Sequence, residues 1–324
     1  MILVTGGAGY VGSHCVRELV GLGYEVVVLD NLSQGRRDAV LSQHFVEGDL
    51  LDAEALHRTF TAYGIDVVLH FAGLICVGES MSEPERYYAH NVGGTINLLR
   101  EMNAQGVKKL IFSSSAAVYG EPESAPISER HPRRPTSVYG RTKWIAEQIM
   151  EDCAQNSGLR YIALRYFNAA GASLDGRLGE THCPETHLIP LVLAAALDPG
   201  RTIRVFGDDY DTPDGTCVRD YVHVVDLAAA HVAAVRALER GHPVGAYNLG
   251  SMRGFSVREV IDVCRRVTGR PISVDEAPRR PGDPPILVAD ATRAGEDLGW
   301  AAEIPSLDEI VRSAWSWTLA HPRG

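Results

Sequence analysis

Tyr139 and Lys143 stand one helical turn apart, so their side chains share a face. A phenol titrates near ~10 and is a poor base at neutral pH. A lysine ammonium on the same face, helped by a cationic cofactor ring, stabilises the phenolate and lowers that pKa. Upstream, Ser113, Ser114 and Ser115 close an apolar run, and a hydroxyl there can hydrogen-bond a reacting oxygen. A Tyr-x-x-x-Lys pair alone is common as a surface tyrosine beside a solvated lysine. The serine run gives it weight, because open α/β sheets bind ligands outside the carboxyl ends of their strands.

A second constellation lies at the start of the chain. In Thr5-Gly6-Gly7-Ala8-Gly9-Tyr10-Val11-Gly12, glycines 6, 9 and 12 suit a tight turn, a close backbone approach to a pyrophosphate and close helix–strand packing. The helix that follows offers unpaired N–H groups to phosphates. Asp30, at the end of the next apolar run, can accept from ribose hydroxyls and repels a 2′-phosphate, which favours NAD over NADP. Arg36 and Arg37 keep the NADP alternative open. Asp49, after Val46-Glu47-Gly48, stands where a third strand would end and could meet an adenine amino group.

The elements that must position these groups are legible as a pattern. Ile2–Thr5, Glu25–Asp30, Val67–Phe71, Lys108–Ser114 and Tyr161–Arg165 read as strands. Between them Val11–Leu22, Ala53–Tyr63, Tyr87–Gln105 and Val138–Ser157 read as helices. Apolar strands alternating with helices predict an α/β, doubly wound parallel sheet, a Rossmann domain over 1–170. Residues 171–324 read as a smaller α/β lobe, with helices at His187–Asp198, Val225–Glu239, Val257–Thr268 and Ser306–Leu319. That boundary is soft, since Ala246–Leu249 can return to the main sheet.

The chain has 324 residues, about two domains' worth. Its 31 basic and 41 acidic residues leave a net charge of −10, which weighs against nucleic acid and anionic membranes as partners. The apolar run Leu188–Leu197 falls well short of the ~20 residues that span a bilayer. No leader precedes Ile2, and the 6 cysteines form no Cys-x-x-Cys pair. A reduced, cytoplasmic protein is expected. Thr181–His187 carries two histidines, a cysteine and a glutamate, but Pro184 restricts how they converge, so no metal is assigned.

Long runs make the resemblance specific: Gly6–Gly12, Asp30-Asn31-Leu32, Glu47-Gly48-Asp49, His70-Phe71-Ala72-Gly73, Val77-Gly78-Glu79-Ser80, Phe112–Gly120, Leu164–Asn168, Asp214–Val224, Tyr247–Gly250 and Arg279–Asp283. Over nearly its whole length the chain resembles the extended short-chain dehydrogenase/reductase family and, within it, the UDP-hexose 4-epimerases. The resemblance implies C4 epimerisation of a UDP-sugar (UDP-glucose and UDP-galactose) through a 4-keto intermediate, on NAD that is regenerated each turnover. Tyr139 would act as base, Ser115 would bridge the sugar hydroxyl to it, and Lys143 would hold the nicotinamide ribose. Cofactor contacts would include Gly6, Gly9, Tyr10, Val11, Gly12 and Asp30; then Asn31, Leu32, Ser33, Gln34, Gly35, Asp49 and Leu50; and, nearer the ring, Phe71, Ala72, Gly73, Leu74, Asn91 and Phe167.

For the UDP-sugar, Arg219 and Arg280 suit a diphosphate clamp, since a guanidinium grips phosphate oxygens bidentately, and Asp283 would accept from ribose hydroxyls. By resemblance Asn168 meets the phosphates, Val205 and Phe206 line the base slot, and His187-Leu188 open a helix against the nucleotide. Ala116 and Ala117 stand where related 4,6-dehydratases carry an Asp-Glu pair, which argues against dehydration. Two departures stand out. Ile75 replaces a frequent lysine beside the cofactor, and Leu287 is intermediate between the tyrosine that excludes N-acetylated sugars and the smaller residue that admits them. A UDP-pentose epimerase and an idle nucleotide sensor are the alternatives. A homodimer is expected, with Tyr87–Gln105 and Val138–Ser157 as the candidate seam.

Overall fold

The computed structural model describes residues 1–242, 245–280 and 282–321. In chain order, β1 (Ile2–Thr5) leads into α1 (Tyr10–Gly21), β2 (Val26–Asp30) into β3 (His44–Glu47), and α2 (Ala53–Ala62) into β4 (Val67–His70). Next, α3 (Val77–Ser82), α4 (Pro84–Tyr87) and α5 (Gly94–Ala104) cross to β5 (Lys109–Ser115), and α6 (Val138–Ser157) crosses to β6 (Arg160–Tyr166). Then come β7 (Asn168–Ala170), α7 (Leu188–Leu197), β8 (Thr202–Phe206), β9 (Val218–His223), α8 (Val224–Glu239) and β10 (Gly245–Leu249). The chain finishes with β11 (Gly254–Ser256), α9 (Val257–Thr268), β12 (Ser273–Ala277), β13 (Ile286–Leu287), α10 (Thr292–Leu298) and α11 (Leu307–Ala320).

Unalternating runs such as Val26-Val27-Val28-Leu29 bury both faces, which a strand can do only between two helix layers. The result is a 7-stranded sheet in the order β10-β6-β5-β4-β1-β2-β3, parallel at every pairing. One face carries Val16 and Leu19 of α1 with Leu227 and Val235 of α8. The other carries Leu56 and Phe60 of α2, Leu98 and Met102 of α5, and Met150 of α6. The strand order reverses between β1 and β4, which opens a crevice at their carboxyl ends.

A second core lies between α7, α9 and α11, where Val192, Val260, Cys264, Ile310 and Val311 meet. Its strands pair β9 with β7, β11 and β13, and β8 with β12. The chain beyond residue 170 serves both bodies, because β10 extends the large sheet beside β6 and α8 covers it.

One expected element is broken. Tyr87–Gln105 is not a single helix: α4 ends at Tyr87, residues Tyr88–Gly93 form a π-helical turn, and α5 starts at Gly94. Such turns fit an extra residue into a helix and often mark functional positions. Here the turn sets Asn91 to bond back onto the β4–α3 loop. The short helix α3, which no apolar spacing marks in the sequence, lies in that same crossover.

Candidate active site

A cleft of about 1090 Å³ follows the carboxyl ends of the central strands and continues beneath the lobe to Arg219, Arg280 and Leu287. Its first end is a backbone cradle. Gly6 adopts φ +72°, and a Cβ on it would come 2.5 Å from the Ala72 nitrogen. At Gly12 a Cβ would lie 2.2 Å from the Gly6 carbonyl oxygen. Helix α1 begins without a side-chain cap and has no acidic residue in its first turn. Its leading N–H groups are therefore free to bind an anion. These features fit a dinucleotide pyrophosphate.

Asp30 joins this cradle from the end of β2, its carboxylate accepting from Ala8 N–H at 2.9 Å and Leu32 N–H at 2.8 Å. The same bond holds Leu32 at φ +57°, a left-handed conformation costly for a branched side chain. Asn31 donates to Asp49 at 2.7 Å and so ties the end of β2 to the end of β3. Ser33, Gln34, Gly35 and Leu50 complete the wall, with Phe71, Ala72, Gly73 and Leu74 opposite.

At the middle of the cleft, β5 ends in Ser115, whose hydroxyl accepts from Ala117 N–H at 3.2 Å and lines the cleft together with Tyr139. Lys143 Nζ lies 5.9 Å from the Tyr139 ring centroid and donates to the Ser113 carbonyl at 2.8 Å. Burial pulls the Lys143 ammonium down to about 8. It also raises the Tyr139 phenol above its ordinary value, with the Ser115 hydroxyl opposing. That is the direction in the protein alone; the expected lowering draws on Lys143 together with the cationic nicotinamide ring.

Beneath this pair, Glu147 of α6 accepts from Arg165 Nε at 3.0 Å, and Arg165 donates to the Tyr119 hydroxyl at 2.9 Å. With Ser114 of β5 also donating to Glu147, this buried network ties β5 and α6, which carry Ser115, Tyr139 and Lys143, to β6. Removing one partner of such a pair costs roughly 3–5 kcal/mol.

At the far end Arg219, on β9, donates through Nη1 to the Pro284 carbonyl at 2.8 Å, and its Nη2 lies 3.5 Å from Asp283. Arg280 stacks on Phe206 with its guanidinium carbon 3.8 Å from the ring centre. Asn168 donates to the Asp220 carbonyl at 2.8 Å, and Phe167, Asn168, His187 and Leu287 line the wall.

Five expected contacts are placed otherwise. Asn91 does not line the cleft; it accepts from Leu74 N–H at 2.8 Å and donates to Thr142 at 3.1 Å, holding the loop from behind. Leu32 packs against the main core. Leu188 and Val205 face the lobe's core, because α7 and β8 turn those positions inward. Phe206 supports Arg280 from outside the cleft wall.

The sequence reading missed Tyr166, which lines the cleft and hydrogen-bonds Ser113 at 2.6 Å. It also missed that Glu180, His182, Glu185 and His187 converge despite Pro184, because the loop before α7 folds back on itself. His182 hydrogen-bonds Glu180 at 2.9 Å, and His187 bonds the same carboxylate. Burial alone would lower His187, but its bonds to Glu180 and Glu185 raise it to about 10.

A glycine cradle at the switch point of a parallel sheet, with a Ser–Tyr–Lys cluster one strand away, defines a dinucleotide-dependent enzyme. A model of the NAD dependent epimerase/dehydratase family matches residues 2–250, and the chain belongs to that family. The UDP-glucose 4-epimerase of Halalkalibacterium halodurans is 51% identical over 323 residues, which cover 100% of this chain and 97% of that protein. The structure of UDP-glucose 4-epimerase from Brucella ovis in complex with NAD superposes with a TM-score of 0.95 at 50% identity, covering 97% of each chain. That of the Bifidobacterium longum enzyme in complex with NAD+ and UDP superposes at 0.92, with 41% identity over 99% of this chain and 98% of that one.

Proposed function

We propose that this chain interconverts UDP-glucose and UDP-galactose by epimerisation at C4 through a transient 4-keto sugar. The observation that carries this reading is one continuous cleft holding the Ser115–Tyr139–Lys143 cluster at its middle and two arginines at its far end. Bound NAD⁺ supplies a positive ring and the acceptor that takes hydride from C4 and returns it to the other face of the sugar.

The chain's own residues do the rest. Gly6, Gly9 and Gly12 admit the pyrophosphate to the start of α1, beside Tyr10 and Val11. Asp30 takes the adenosine ribose, with Asn31, Ser33, Gln34, Gly35, Asp49 and Leu50 around the adenine. Phe71–Leu74 and Phe167 enclose the nicotinamide side, and Asn91 fixes that loop. Tyr139 takes the C4 hydroxyl proton through Ser115 and later returns it, while Lys143 holds the nicotinamide ribose and keeps positive charge beside the phenolate. Arg219, Arg280, Asn168 and His187 meet the diphosphate, and Asp283 meets the uridine ribose. Residues 171–324, less α8 and β10, act as the lobe that closes over the nucleotide-sugar held on the 1–170 domain.

A homodimer across α5 and α6 accords with half-buried Ile96, Ile145 and Ile149 on those helices. A cytoplasmic setting accords with 6 free cysteines. No helix among the described residues is long and apolar enough to cross a membrane. The test is purified protein given UDP-galactose without added NAD, with UDP-xylose alongside. Equilibration with UDP-glucose is expected; no turnover with or without added NAD overturns the reading.

A further inference from the structure

The loop between β7 and α7 carries a constellation that the epimerase reading uses only in part. One ligand-capable atom from each of Glu180, His182, Glu185 and His187 lies within 4.8 Å of all the others. The Glu180 oxygen is 2.9 Å from His182 Nδ1, and the Glu185 oxygen is 3.4 Å from His187 Nδ1. In a tetrahedral zinc site with bonds of about 2.0–2.2 Å, neighbouring donor atoms stand roughly 3.3–3.5 Å apart. His187 also bonds the Glu180 oxygen directly, and with separations reaching up to 4.8 Å the donors would shift by up to about 1.5 Å to reach that arrangement.

Burial adds a separate argument. The Glu180 and Glu185 side chains are only 6% and 8% exposed, yet they lie on one short loop beside two imidazoles. Two carboxylates so close together and shielded from water need positive charge between them. In the metal-free protein His182 and His187 meet that need; a dication would take the place of their shared protons, and two imidazole nitrogens with two carboxylate oxygens are a borderline donor set suited to zinc, cobalt or nickel rather than to magnesium or calcium.

We propose that Glu180, His182, Glu185 and His187 form a binding site for one first-row divalent transition cation, zinc foremost, at the rim of the cleft. The ion would staple the β7–α7 loop to the start of α7. His182, Glu185 and His187 also line the cleft, so the staple would stiffen the wall against which the nucleotide-sugar lies. This goes beyond the epimerase reading and needs none of its chemistry.

The experiment is competition of the chelator-treated holoprotein with a chromophoric chelator for Zn2+, with Co2+ used for spectroscopy. One equivalent of Zn2+ and a tetrahedral cobalt band in the visible are expected, with affinity at least tenfold weaker in both Glu180→Gln and His182→Gln. Retained NAD and an unchanged circular dichroism spectrum identify folded variants. If Glu180→Gln does not fold, His182→Gln, which alters a partly exposed side chain, carries the comparison. Cys183 lies in the same loop and is exposed, so Cys183→Ser is the control. Less than one equivalent in the wild type, uptake that survives both substitutions, or uptake that depends on Cys183 alone overturns the proposal. None of these readouts involves turnover, so failure here leaves the epimerase reading standing.

Discussion

At the first end of the cleft, Gly6, Gly12 and the uncapped start of α1 present backbone to the ligand. At the far end Arg219, Arg280 and Asp283 present side chains, two of them from the loop between β12 and β13 and one from β9. The first is a shape that one continuous stretch of chain creates. The second is assembled by tertiary folding, with Arg219 and Asp283 far apart in sequence and 3.5 Å apart in space. A backbone cradle tolerates almost no added atom, whereas a side-chain clamp loses contacts one at a time. Between the two ends sits the Tyr139 cluster, which depends on both.

The largest effect belongs to that cluster. Tyr139→Phe removes the hydroxyl that Ser115 and Lys143 flank in the cleft. Turnover should fall by roughly 10³-fold, within the range for a lost general acid–base group, while UDP and NAD still bind. Initial rates with UDP-galactose, beside UDP titration by calorimetry, check this. Normal turnover in the variant sinks the proposed role of Tyr139.

Next comes the cradle, tested within one helix. Gly12→Ala drives a methyl to 2.2 Å from the Gly6 carbonyl, and should cost roughly 3 kcal/mol and abolish NAD retention. Gly21→Ala, at the other end of α1 with nothing within 4 Å of the new atom, should stabilise the protein by up to ~1 kcal/mol. Melting temperature and cofactor content of the two variants decide it. Equal responses would show that the cradle is not the constraint described.

Legibility followed the same division. Gly6–Gly12 and Asp30 stood out because neighbours in sequence are neighbours in the turn, and the parallel sheet followed from unalternating apolar runs. The place of Asn91 behind the β4–α3 loop is not legible in the sequence, because a π-helical turn cannot be read from apolar spacing and its partners Leu74 and Thr142 lie on other elements. Val205 and Leu188 were given to the cleft by resemblance, but the inward face of β8 and the rotation of α7 take them into the lobe's core. Pro184 was read as an obstacle to convergence, although a proline limits only its own φ and its neighbour's conformation. The arginine clamp rests on the resemblance, since no local pattern marks side chains that meet from a strand and a distant loop.

The histidines give a pH test of the same contrast. His14, His70 and His231 are buried in the large-sheet half, where burial lowers them to about 4, 3 and 4. The folded state keeps them neutral while the unfolded chain takes up protons below about 6.5. Stability should therefore be lost as pH falls from 6.5 towards 4, by roughly 3 kcal/mol for each ring. Thermal melts across that window should show the fall. A flat profile would mean that these rings protonate without unfolding the sheet.

A smaller loss is expected at the clamp. Arg280→Ala leaves Phe206 without its stacked partner and removes one cation from the cleft wall. Charge-assisted hydrogen bonds contribute about 1.5–3 kcal/mol, so KM for the UDP-sugar should rise roughly 10–100-fold. NAD retention should stay unchanged. Should cofactor be lost as well, the two ends of the cleft are energetically coupled and the contrast between them fails.

The smallest effect should come from Leu287, on β13, where the sugar end of the wall meets the lobe. An N-acetyl group needs space that a leucine fills in part and a tyrosine would fill altogether. Leu287 is half-buried and packs beside a small cluster that includes Tyr119, Phe167 and Ala289, so trimming it opens the wall without opening the main core. Weak turnover of UDP-N-acetylglucosamine is expected in the natural chain, rising a few-fold in Leu287→Cys, because removing one or two methylenes from such a pocket changes discrimination by about 1–3 kcal/mol. Rates on the N-acetylated and plain sugars, measured side by side, separate a change in fit from a change in chemistry. If both proteins stay inactive on the N-acetylated sugar, Leu287 is not the limiting contact, and the barrier must lie in wall residues that the arginine clamp brings close.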